Sequence, residues 1–419
     1  MKKSRYIIEH KCDGKYIIVS TMSGGILEVT NSVWENIEKT ADRELLTYCR
    51  NCNILIDDTF DEETYVDEVR RQSNLSEERP HSFVVLPTTA CNARCFYCYE
   101  EGMVPQRMTT ETAEQVARYI LRVSNGKNIR VQWFGGEPLM GIAAIDTICE
   151  NVRKGLRPDQ RFETTMISNG SLLNDSVIEK MVGDWNLTRV QITLDGLPGE
   201  YEKRKSYVAS FTFGQLLDNI NKLLRNKITV AARINFDKNN FQNILDLIDF
   251  LGGRINSEYF SLYAVPLFEN SITQGKQTCF STGELDDCYM AIYQKMIANG
   301  FIRSSKYFAI GLKSHFCGAN TKTHSVIDPL GNIYKCQHLN LLKNEVISHV
   351  CADSLDEAKQ AYWIAQDVDD CKNCALLPMC QGGCRASGGN NGILRCCTMK
   401  YTLNSTLEAI KILNERKES

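Results

Sequence analysis

Strand-like and helix-like segments alternate six times between residues 81 and 303. The strand candidates are short apolar runs, typical of strands covered on both faces, at 83–88, 130–134, 163–167, 189–194, 229–235 and 259–265. The helix candidates lie at 110–124, 142–154, 176–185, 213–225, 241–251 and 283–299. This alternation predicts a parallel sheet with right-handed crossovers. Because a closed barrel of this kind needs eight units, six predict an α/β fold with a partial, open (β/α)6 TIM-like barrel.

Five short polar motifs follow directly on five of these strand candidates. In parallel α/β folds, the loops at the carboxyl ends of the strands meet at one edge and hold the ligand. Each motif alone is ordinary turn chemistry, but five of them at the same edge indicate a binding site. In chain order they are Cys91–Cys98, Gly135–Pro138, Ser168–Gly170, Asp195–Gly196 and Arg233–Asn235.

Cysteine is present in excess, with 18 in 419 residues. Eleven are grouped, which is more typical of metal ligands than of disulfides in a large chain without an export signal. The groups are Cys91, Cys95 and Cys98; Cys317 and Cys336; and Cys371, Cys374, Cys380, Cys384, Cys396 and Cys397. The other seven are scattered, and we expect small buried hydrophobic residues at these positions. They are Cys12, Cys49, Cys52, Cys149, Cys279, Cys288 and Cys351.

The first cysteine group has the spacing C-x3-C-x2-C on a single predicted loop. Three thiolates do not complete a structural zinc site, which takes four protein ligands. They do suit a cubane iron–sulfur cluster with one iron left open. The segment resembles the radical S-adenosylmethionine (SAM) enzymes, whose motif has an aromatic residue before the third cysteine, and Tyr97 fills that place.

The resemblance extends to the other motifs at this edge. Gly135–Pro138 is similar to the GGEP segment of the family, which implies that it cradles the methionyl amino group of SAM, with Glu137 as the acceptor. The resemblance implies that Ser168 and Asn169 meet the ribose and carboxylate of SAM. The implied cofactor-binding residues are Tyr97, Gly135, Gly136, Glu137, Pro138, Ser168, Asn169, Asp195, Arg233 and Asn235.

The C-terminal cysteines resemble the SPASM extension of radical SAM enzymes. Their pattern is C-x13-G-x4-C, a gap, C-x2-C-x5-C-x3-C, another gap and a final cysteine pair. The resemblance implies two auxiliary clusters, hence three [4Fe–4S] clusters in all. One would be held by Cys371, Cys374, Cys380 and either Cys396 or Cys397, and the other by Cys317, Cys336 and Cys384. Two zinc sites are the alternative, because C-x2-C pairs also bind zinc.

Two positions depart from the pattern of the family. Relatives often have a cysteine where this chain has Gly311. The Cys317 cluster would therefore have an open iron or borrow a ligand such as Cys279, Cys288 or His315. The sulfatase-maturing branch places an aspartate directly after the G-x4-C cysteine, whereas Gln337 stands there in this chain, which counts against sulfatase maturation.

The sequence divides into three predicted domains: a winged-helix-like module at 1–75, the barrel at 81–303, and a cysteine-rich iron–sulfur domain at 304–419. In the first, strand candidates at 5–10, 15–22 and 26–29 precede helix candidates at 32–39, 42–49 and 62–72. The third ends in a helix candidate at 402–416. The first resembles the recognition modules of peptide-maturing enzymes, which implies that it captures a leader peptide on a strand edge. A structural appendage that covers the barrel is the alternative.

Charge and hydropathy exclude two classes of partner. Lys plus Arg (48) nearly balance Asp plus Glu (51), so the net charge of −3 indicates neither nucleic acid nor an anionic membrane. No apolar run has the roughly 20 residues that span a bilayer. The first ten residues lack the apolar core of a signal peptide, so we expect a cytoplasmic protein.

The resemblance implies a radical SAM oxidoreductase that acts on a peptide. SAM would be cleaved to a 5′-deoxyadenosyl radical, which abstracts hydrogen from a ribosomally made precursor peptide, and a thioether or carbon–carbon crosslink would be installed. The electron donor would be a protein such as flavodoxin or ferredoxin. Two alternatives stay open: an anaerobic sulfatase-maturating, formylglycine-forming enzyme, and a non-enzymatic multi-zinc scaffold or redox sensor.

Overall fold

The computed structural model describes residues 1–268, 278–339, 345–364, 368–387 and 396–418 of the chain. In the first 75 residues, a three-stranded antiparallel sheet of β2, β3 and β4 lies beside three helices, and β1 pairs with β5. The strands are β1 (Lys2–Lys3), β2 (Ile7–Cys12), β3 (Lys15–Ser20), β4 (Ile26–Thr30) and β5 (Leu55–Ile56), and the helices are α1 (Asn31–Glu35), α2 (Arg43–Asn51) and α3 (Glu62–Leu75). The predicted helix at 32–39 divides into α1 and a 3-10 turn at Ile37–Lys39.

Six parallel strands form the centre of the protein, and each pairs with the next one in the chain. They are β6 (His81–Thr88), β7 (Ile129–Gly135), β8 (Phe162–Ser168), β9 (Leu187–Thr193), β10 (Thr229–Phe236) and β11 (Phe260–Pro266). The helices of this region are α4 (Thr110–Ser124), α5 (Ile142–Gly155), α6 (Asp175–Gly183), α7 (Glu200–Lys205), α8 (Phe213–Arg225), α9 (Phe241–Gly252) and α10 (Leu285–Ala298). The predicted partial (β/α)6 barrel is confirmed, and α7 is an additional helix that the sequence pattern did not predict.

Alternate side chains of these strands enter different surroundings, as the two-residue period of a strand requires. On β6, Phe83 and Val85 belong to the main core, which the strands share with the helices. Val84 and Leu86 belong to a second apolar cluster that contains Val326 from the C-terminal region. The carboxyl ends of β6 to β10, where the polar motifs begin, lie at the same edge of the sheet.

The cysteine-rich region extends the same sheet beyond β6. Its strands are β12 (His324–Ile327), β13 (Asn332–Tyr334) and β14 (Ser348–His349), and β12 lies parallel to β6. Within the described ranges, nine strands therefore form one open sheet. The remaining helices are α11 (Glu357–Ile364), α12 (Leu377–Cys380) and α13 (Leu403–Glu418), with 3-10 turns at Ser305–Phe308, Gly318–Asn320, Asp369–Cys371, Arg385–Ser387 and Thr398–Tyr401.

The N-terminal sheet and α3 pack directly against the C-x2-C-x5-C segment of the cysteine-rich region. The Thr21 hydroxyl donates a hydrogen bond to the Ala375 carbonyl at 2.5 Å, and the Arg5 guanidinium donates one to the Asn373 side chain at 2.8 Å. A shared apolar cluster contains Tyr6, Met22, Val66, Val368 and Leu377. Two segments that are far apart in the sequence therefore form one packed interface.

The scattered cysteines only partly follow the expectation of burial. Cys49, Cys149 and Cys288 are buried, and Cys12, Cys52 and Cys279 are half-buried. Cys351 is exposed, because it lies in the turn that follows β14. Within the described ranges, no helix has both the length and the apolar composition that crossing a bilayer requires.

Candidate functional site

The loop after β6 carries Cys91, Cys95 and Cys98, which we call the cluster loop (residues 89–99). All three thiols are half-buried and outside disulfides. Burial raises the pKa of Cys91, and it raises the pKa of Cys98 to about 12. Buried thiols of this kind release their protons when a metal binds, because the thiolate is the ligand.

Two glycines at the end of β7 allow this strand to approach the start of the cluster loop. Gly135 has φ +109°, and a Cβ atom there would lie 2.1 Å from the Thr88 carbonyl oxygen. At Gly136 a Cβ atom would lie 2.3 Å from the Ala90 carbonyl oxygen. The Glu137 amide donates to that same oxygen at 2.9 Å. The glycines are thus required by contact between two protein segments.

The Glu137 carboxylate is fully buried among hydrogen-bond donors. Its Oε1 accepts from the Ser168 hydroxyl at 2.9 Å and from the Leu139 amide at 3.1 Å, and its Oε2 accepts from the Asn169 amide at 2.8 Å. Burial raises the pKa of Glu137 to about 7. Since a carboxylate has about four acceptor positions, Oε2 retains capacity for one more donor. Pro138 opens the short 3-10 turn Pro138–Gly141, and the Glu137 side chain caps this turn at the Leu139 amide.

Asn169 connects these motifs to the cluster loop. Its side-chain amide donates to the Asn92 side chain at 2.8 Å and lies 3.9 Å from the Cys91 sulfur. Asn92 in turn donates to the Ser171 hydroxyl at 2.8 Å. The structure therefore brings together the first three motifs that the sequence placed at one edge.

Asp195 joins the same assembly through two partners from elsewhere in the chain. It accepts a hydrogen bond from the Tyr97 hydroxyl, and its Oδ2 lies 3.1 Å from the Lys205 ammonium. The ammonium also donates to the Tyr97 hydroxyl at 2.9 Å. Burial lowers the pKa of Lys205, but the negative charge of Asp195 outweighs this effect and raises it well above its ordinary value. Lys205 is thus a buried cation.

Arg204 forms a second buried ion pair next to the first. Its guanidinium donates to both carboxylate oxygens of Asp237, at 3.0 and 3.3 Å, and stacks over the Phe96 ring at 4.8 Å. Its side chain is only 3% exposed. Sequence reasoning missed Arg204, Lys205 and Asp237. The run of charged residues in α7 is typical of a helix that faces solvent. The one indication that these residues belong to the site was their position shortly after the Asp195–Gly196 motif.

Arg233 and Asn235 reach the site indirectly. The Asn235 amide donates to Asp195 Oδ1 at 3.1 Å, and its side-chain oxygen accepts from Arg233 Nε at 2.9 Å. Arg233 also lies near His338: burial lowers the pKa of His338, and the positive charge of Arg233 lowers it further. The His338 ring in turn lies 4.6 Å from the ring of Tyr99 in the cluster loop. All five sequence motifs therefore belong to one connected network.

Cys317, Cys336 and Cys384 lie close to one another in the cysteine-rich region. Burial raises the pKa of Cys336 to about 12, and the neighbouring Cys317 and Cys384 add to that rise. Cys336 and Cys384 pack on an apolar cluster with Trp363. The Lys335 side chain is buried and donates to the carbonyls of Thr321 and His324, at 2.5 and 2.7 Å.

The positions considered for a fourth ligand here have other partners. At Gly311, where relatives have a cysteine, a Cβ atom would lie 3.7 Å from the backbone of Ser23, in the turn between β3 and β4. Cys288 is in the main core with α10. His315 Nδ1 contacts Arg79 at 3.0 Å and the Ser314 hydroxyl at 2.9 Å.

The two final cysteines of the last group, Cys396 and Cys397, have different partners. The Cys380 thiol is hydrogen-bonded to Cys397, which raises the pKa of Cys380 and lowers that of Cys397. Cys374, Cys380 and Cys397 all pack on the main core. The Cys396 sulfur instead accepts a hydrogen bond from the Lys400 ammonium at 3.5 Å. The candidate metal ligands in all three groups are cysteine sulfurs outside disulfides. Cysteine sulfur is the usual ligand of iron–sulfur clusters.

Three comparisons place this geometry among known proteins. Residues 85–251 match the Radical SAM superfamily. The chain is 22% identical to the radical SAM cyclopropyl synthase TigE of Paramaledivibacter caminithermalis, over 89% of this chain and 87% of TigE. It is also 22% identical to the cysteine-type anaerobic sulfatase-maturating enzyme of Clostridium perfringens, over 73% of this chain and 89% of that enzyme.

Solved structures share the fold. The enzyme anSMEcpe, solved with bound AdoMet and the Cp18Cys peptide, aligns with a TM-score of 0.62 at 16% identity, covering 80% of this chain and 99% of that one. SuiB of Streptococcus suis, solved bound to the precursor peptide SuiA, aligns with a TM-score of 0.54 at 13% identity, covering 95% of this chain and 99% of that one.

Proposed function

Because residues 85–251 carry a radical SAM domain, we propose that this radical SAM enzyme is a maturase that crosslinks a ribosomally made precursor peptide through a thioether or carbon–carbon bond. The main support is the similarity in fold to SuiB, a protein whose structure was solved with a bound precursor peptide. The alignment with SuiB covers 95% of this chain. The likeness to anSMEcpe covers 80%. The name of TigE, a cyclopropyl synthase, adds support for carbon–carbon bond formation.

The proposal assigns the three sulfur groups to three [4Fe–4S] clusters. Cys91, Cys95 and Cys98 would hold the catalytic cluster, whose open iron would bind SAM. The remaining acceptor position on Glu137 Oε2 would take the ammonium of SAM, and Ser168 and Asn169, which orient that carboxylate, would keep it in place. SAM, when bound and reductively cleaved, supplies a carbon radical that takes hydrogen from the peptide.

The reaction balances in hydrogen atoms and electrons. One electron from a donor protein such as flavodoxin or ferredoxin is used to cleave SAM, which yields methionine and 5′-deoxyadenosine. The peptide would lose two hydrogens as the new bond forms: one would pass to 5′-deoxyadenosine, and the other would leave as a proton while its electron would go to an acceptor held by the protein. The Cys317, Cys336 and Cys384 group would hold that acceptor with one iron open to a peptide thiolate, since thiolates suit such iron.

The N-terminal sheet supplies the proposed site for the leader segment of the peptide. Within the described residues, β4 pairs only with β3, so the part of its other edge that follows Ile26 is available for strand addition. The opposite edge strand, β2, contacts α13 through His10 and Glu408, 3.0 Å apart. Beside β4, Tyr48 is 41% exposed and donates to the Ile26 carbonyl at 2.6 Å.

The test is anaerobic turnover with SAM, a reductant and a cysteine-containing precursor peptide encoded next to the gene for this chain. We expect 5′-deoxyadenosine together with a peptide that has lost two hydrogen atoms. In tandem mass spectrometry, the crosslinked peptide should give no fragments from cleavage between the two joined residues. A thioether removes the thiol from alkylation by iodoacetamide, whereas a carbon–carbon bond leaves it reactive. The same peptide without its leader should be modified much more slowly. Formation of 5′-deoxyadenosine with an unmodified peptide under every condition would contradict the proposal.

Sulfatase maturation is the second candidate, supported by the similarity to the Clostridium perfringens enzyme. The Gln337 position argues against it, because an amide cannot act as the base that an aspartate would provide there. The two candidates differ in their product: formylglycine is an aldehyde and is trapped by a hydrazide probe. A hydrazide adduct on a sulfatase-derived peptide would favour this candidate over crosslinking.

A further inference from the structure

The last two residues of α7 contact two neighbouring aromatic residues of the cluster loop, Phe96 and Tyr97. Arg204 stacks on Phe96 at 4.8 Å, and the Lys205 ammonium donates to the Tyr97 hydroxyl at 2.9 Å. Each cation is balanced by one buried aspartate, Asp237 for Arg204 and Asp195 for Lys205.

The backbone after α7 is also attached to the cluster loop. The Lys205 carbonyl accepts from the Arg94 amide at 2.9 Å and lies 3.9 Å from the Cys95 sulfur. Tyr207 forms a β-bridge with Ala93, and the Val208 amide donates to the Asn92 carbonyl at 2.9 Å. A displacement of Lys205 therefore moves the segment that carries Cys95.

The Lys205–Asp195 pair differs from the surface ion pairs of the chain in its burial. Its two side chains are 4% and 0% exposed, whereas Lys203, two positions earlier on the same helix, is 79% exposed. Charges away from water keep most of their electrostatic influence on neighbouring groups, since solvent screens them little. The net effect at the cluster loop depends on both members being present.

We propose that Lys205 is a positioning residue for the catalytic cluster: it fixes Tyr97 and the Cys95 segment, and with Asp195 it sets the reduction potential of the cluster that this loop holds. A nearby cation favours the reduced, more negative cluster, and a nearby carboxylate disfavours it. This inference rests on the radical SAM domain and does not depend on which peptide is modified.

The test measures the midpoint potential of the catalytic cluster by anaerobic redox titration, followed by the EPR signal that changes when SAM is added. Lys205→Met removes the cation, so its midpoint should shift to a more negative value than that of the wild type. Asp195→Asn removes the anion and should shift it to a more positive value. The double variant should lie between the two single ones, because the pair is then removed as a unit. Lys203→Met is the matched control and should leave the midpoint unchanged.

Iron content separates this role from general support of the fold. The proposal expects the single variants to retain the iron of the wild type, and Lys205→Arg to restore the wild-type midpoint. Shifts of the same sign in Lys205→Met and Asp195→Asn, or no shift in either, would overturn it. If Lys205→Met does not retain the cluster, Asp195→Asn alone decides, because it keeps the shape of the side chain: an unchanged midpoint would refute the proposal. None of these readouts needs a peptide, so failure of the proposed crosslinking activity would be recognised separately.

Discussion

Replacement of Gly135 by alanine tests whether the close approach of β7 to the cluster loop is essential. The φ of +109° is unfavourable for alanine, which costs about 1–3 kcal/mol for a residue held in a sparsely populated region. The new Cβ would also meet the Thr88 carbonyl oxygen at 2.1 Å, and relief of such overpacking costs about 1–3 kcal/mol more. We therefore expect a loss of about 2–6 kcal/mol, a large share of the stability of a typical domain.

The assay is thermal unfolding under anaerobic conditions, combined with iron analysis of the purified protein. Each kcal/mol lowers the midpoint by about 2–4 °C in domains of 150–250 residues, and displacement of Thr88 should also reduce the iron bound by the cluster loop. Gly183→Ala is the matched control, because Gly183 ends α6 and a Cβ there meets nothing within 4 Å. Alanine there should change stability by no more than about 1 kcal/mol, in the favourable direction. Equal midpoints and equal iron in the two variants would refute the argument from close approach.

Three further outcomes are expected. By analogy with cysteine-ligated cubanes, the reconstituted protein should contain about twelve irons per chain. Replacing all three thiols of the cluster loop should remove about four of these irons and abolish SAM cleavage. Residual cleavage would contradict the assignment of this loop to the catalytic cluster. Cys397→Ser should lose one cluster and Cys396→Ser should retain it, as measured by iron content and Mössbauer spectra, with the reverse result assigning Cys396 instead. Arg204→Met leaves Asp237 buried without its partner and should lower the free energy of unfolding by about 3–5 kcal/mol in denaturant titrations, and a loss below about 1 kcal/mol would show that the pair is dispensable.

The six βα units could be predicted because each strand is a nearly continuous apolar run and most of the helices between them repeat their apolar residues every three or four positions. Such segments carry their burial pattern in their own sequence. Val131 and Trp133 on β7, for example, point to the main core as the strand period requires.

The ion pairs of α7 could not be predicted, because the charge pattern of the helix is the one expected of a solvent-exposed surface. Lys and Arg are rarely buried without a partner, and the partners here lie outside the helix: Asp195 is in the loop between β9 and α7, and Asp237 follows β10. Similarly, β12 to β14 are two to four residues long, and pairing with neighbouring strands rather than local propensity defines them: β12 pairs with β6, β13 with β12, and β14 with β13. The sequence placed the motifs at one edge but did not contain the long-range contacts that connect them.

The packing of the N-terminal sheet against the C-x2-C-x5-C segment has a consequence for biosynthesis. The apolar face with Tyr6, Met22 and Val66 leaves the ribosome early, yet its cover, Val368 and Leu377, is translated some three hundred residues later. At about 5–20 residues per second this face waits roughly 15–60 s for its partner. Docking therefore coincides with the emergence of Cys371, Cys374 and Cys380, so the interface is completed in the same interval of synthesis in which these three thiols become available to a metal.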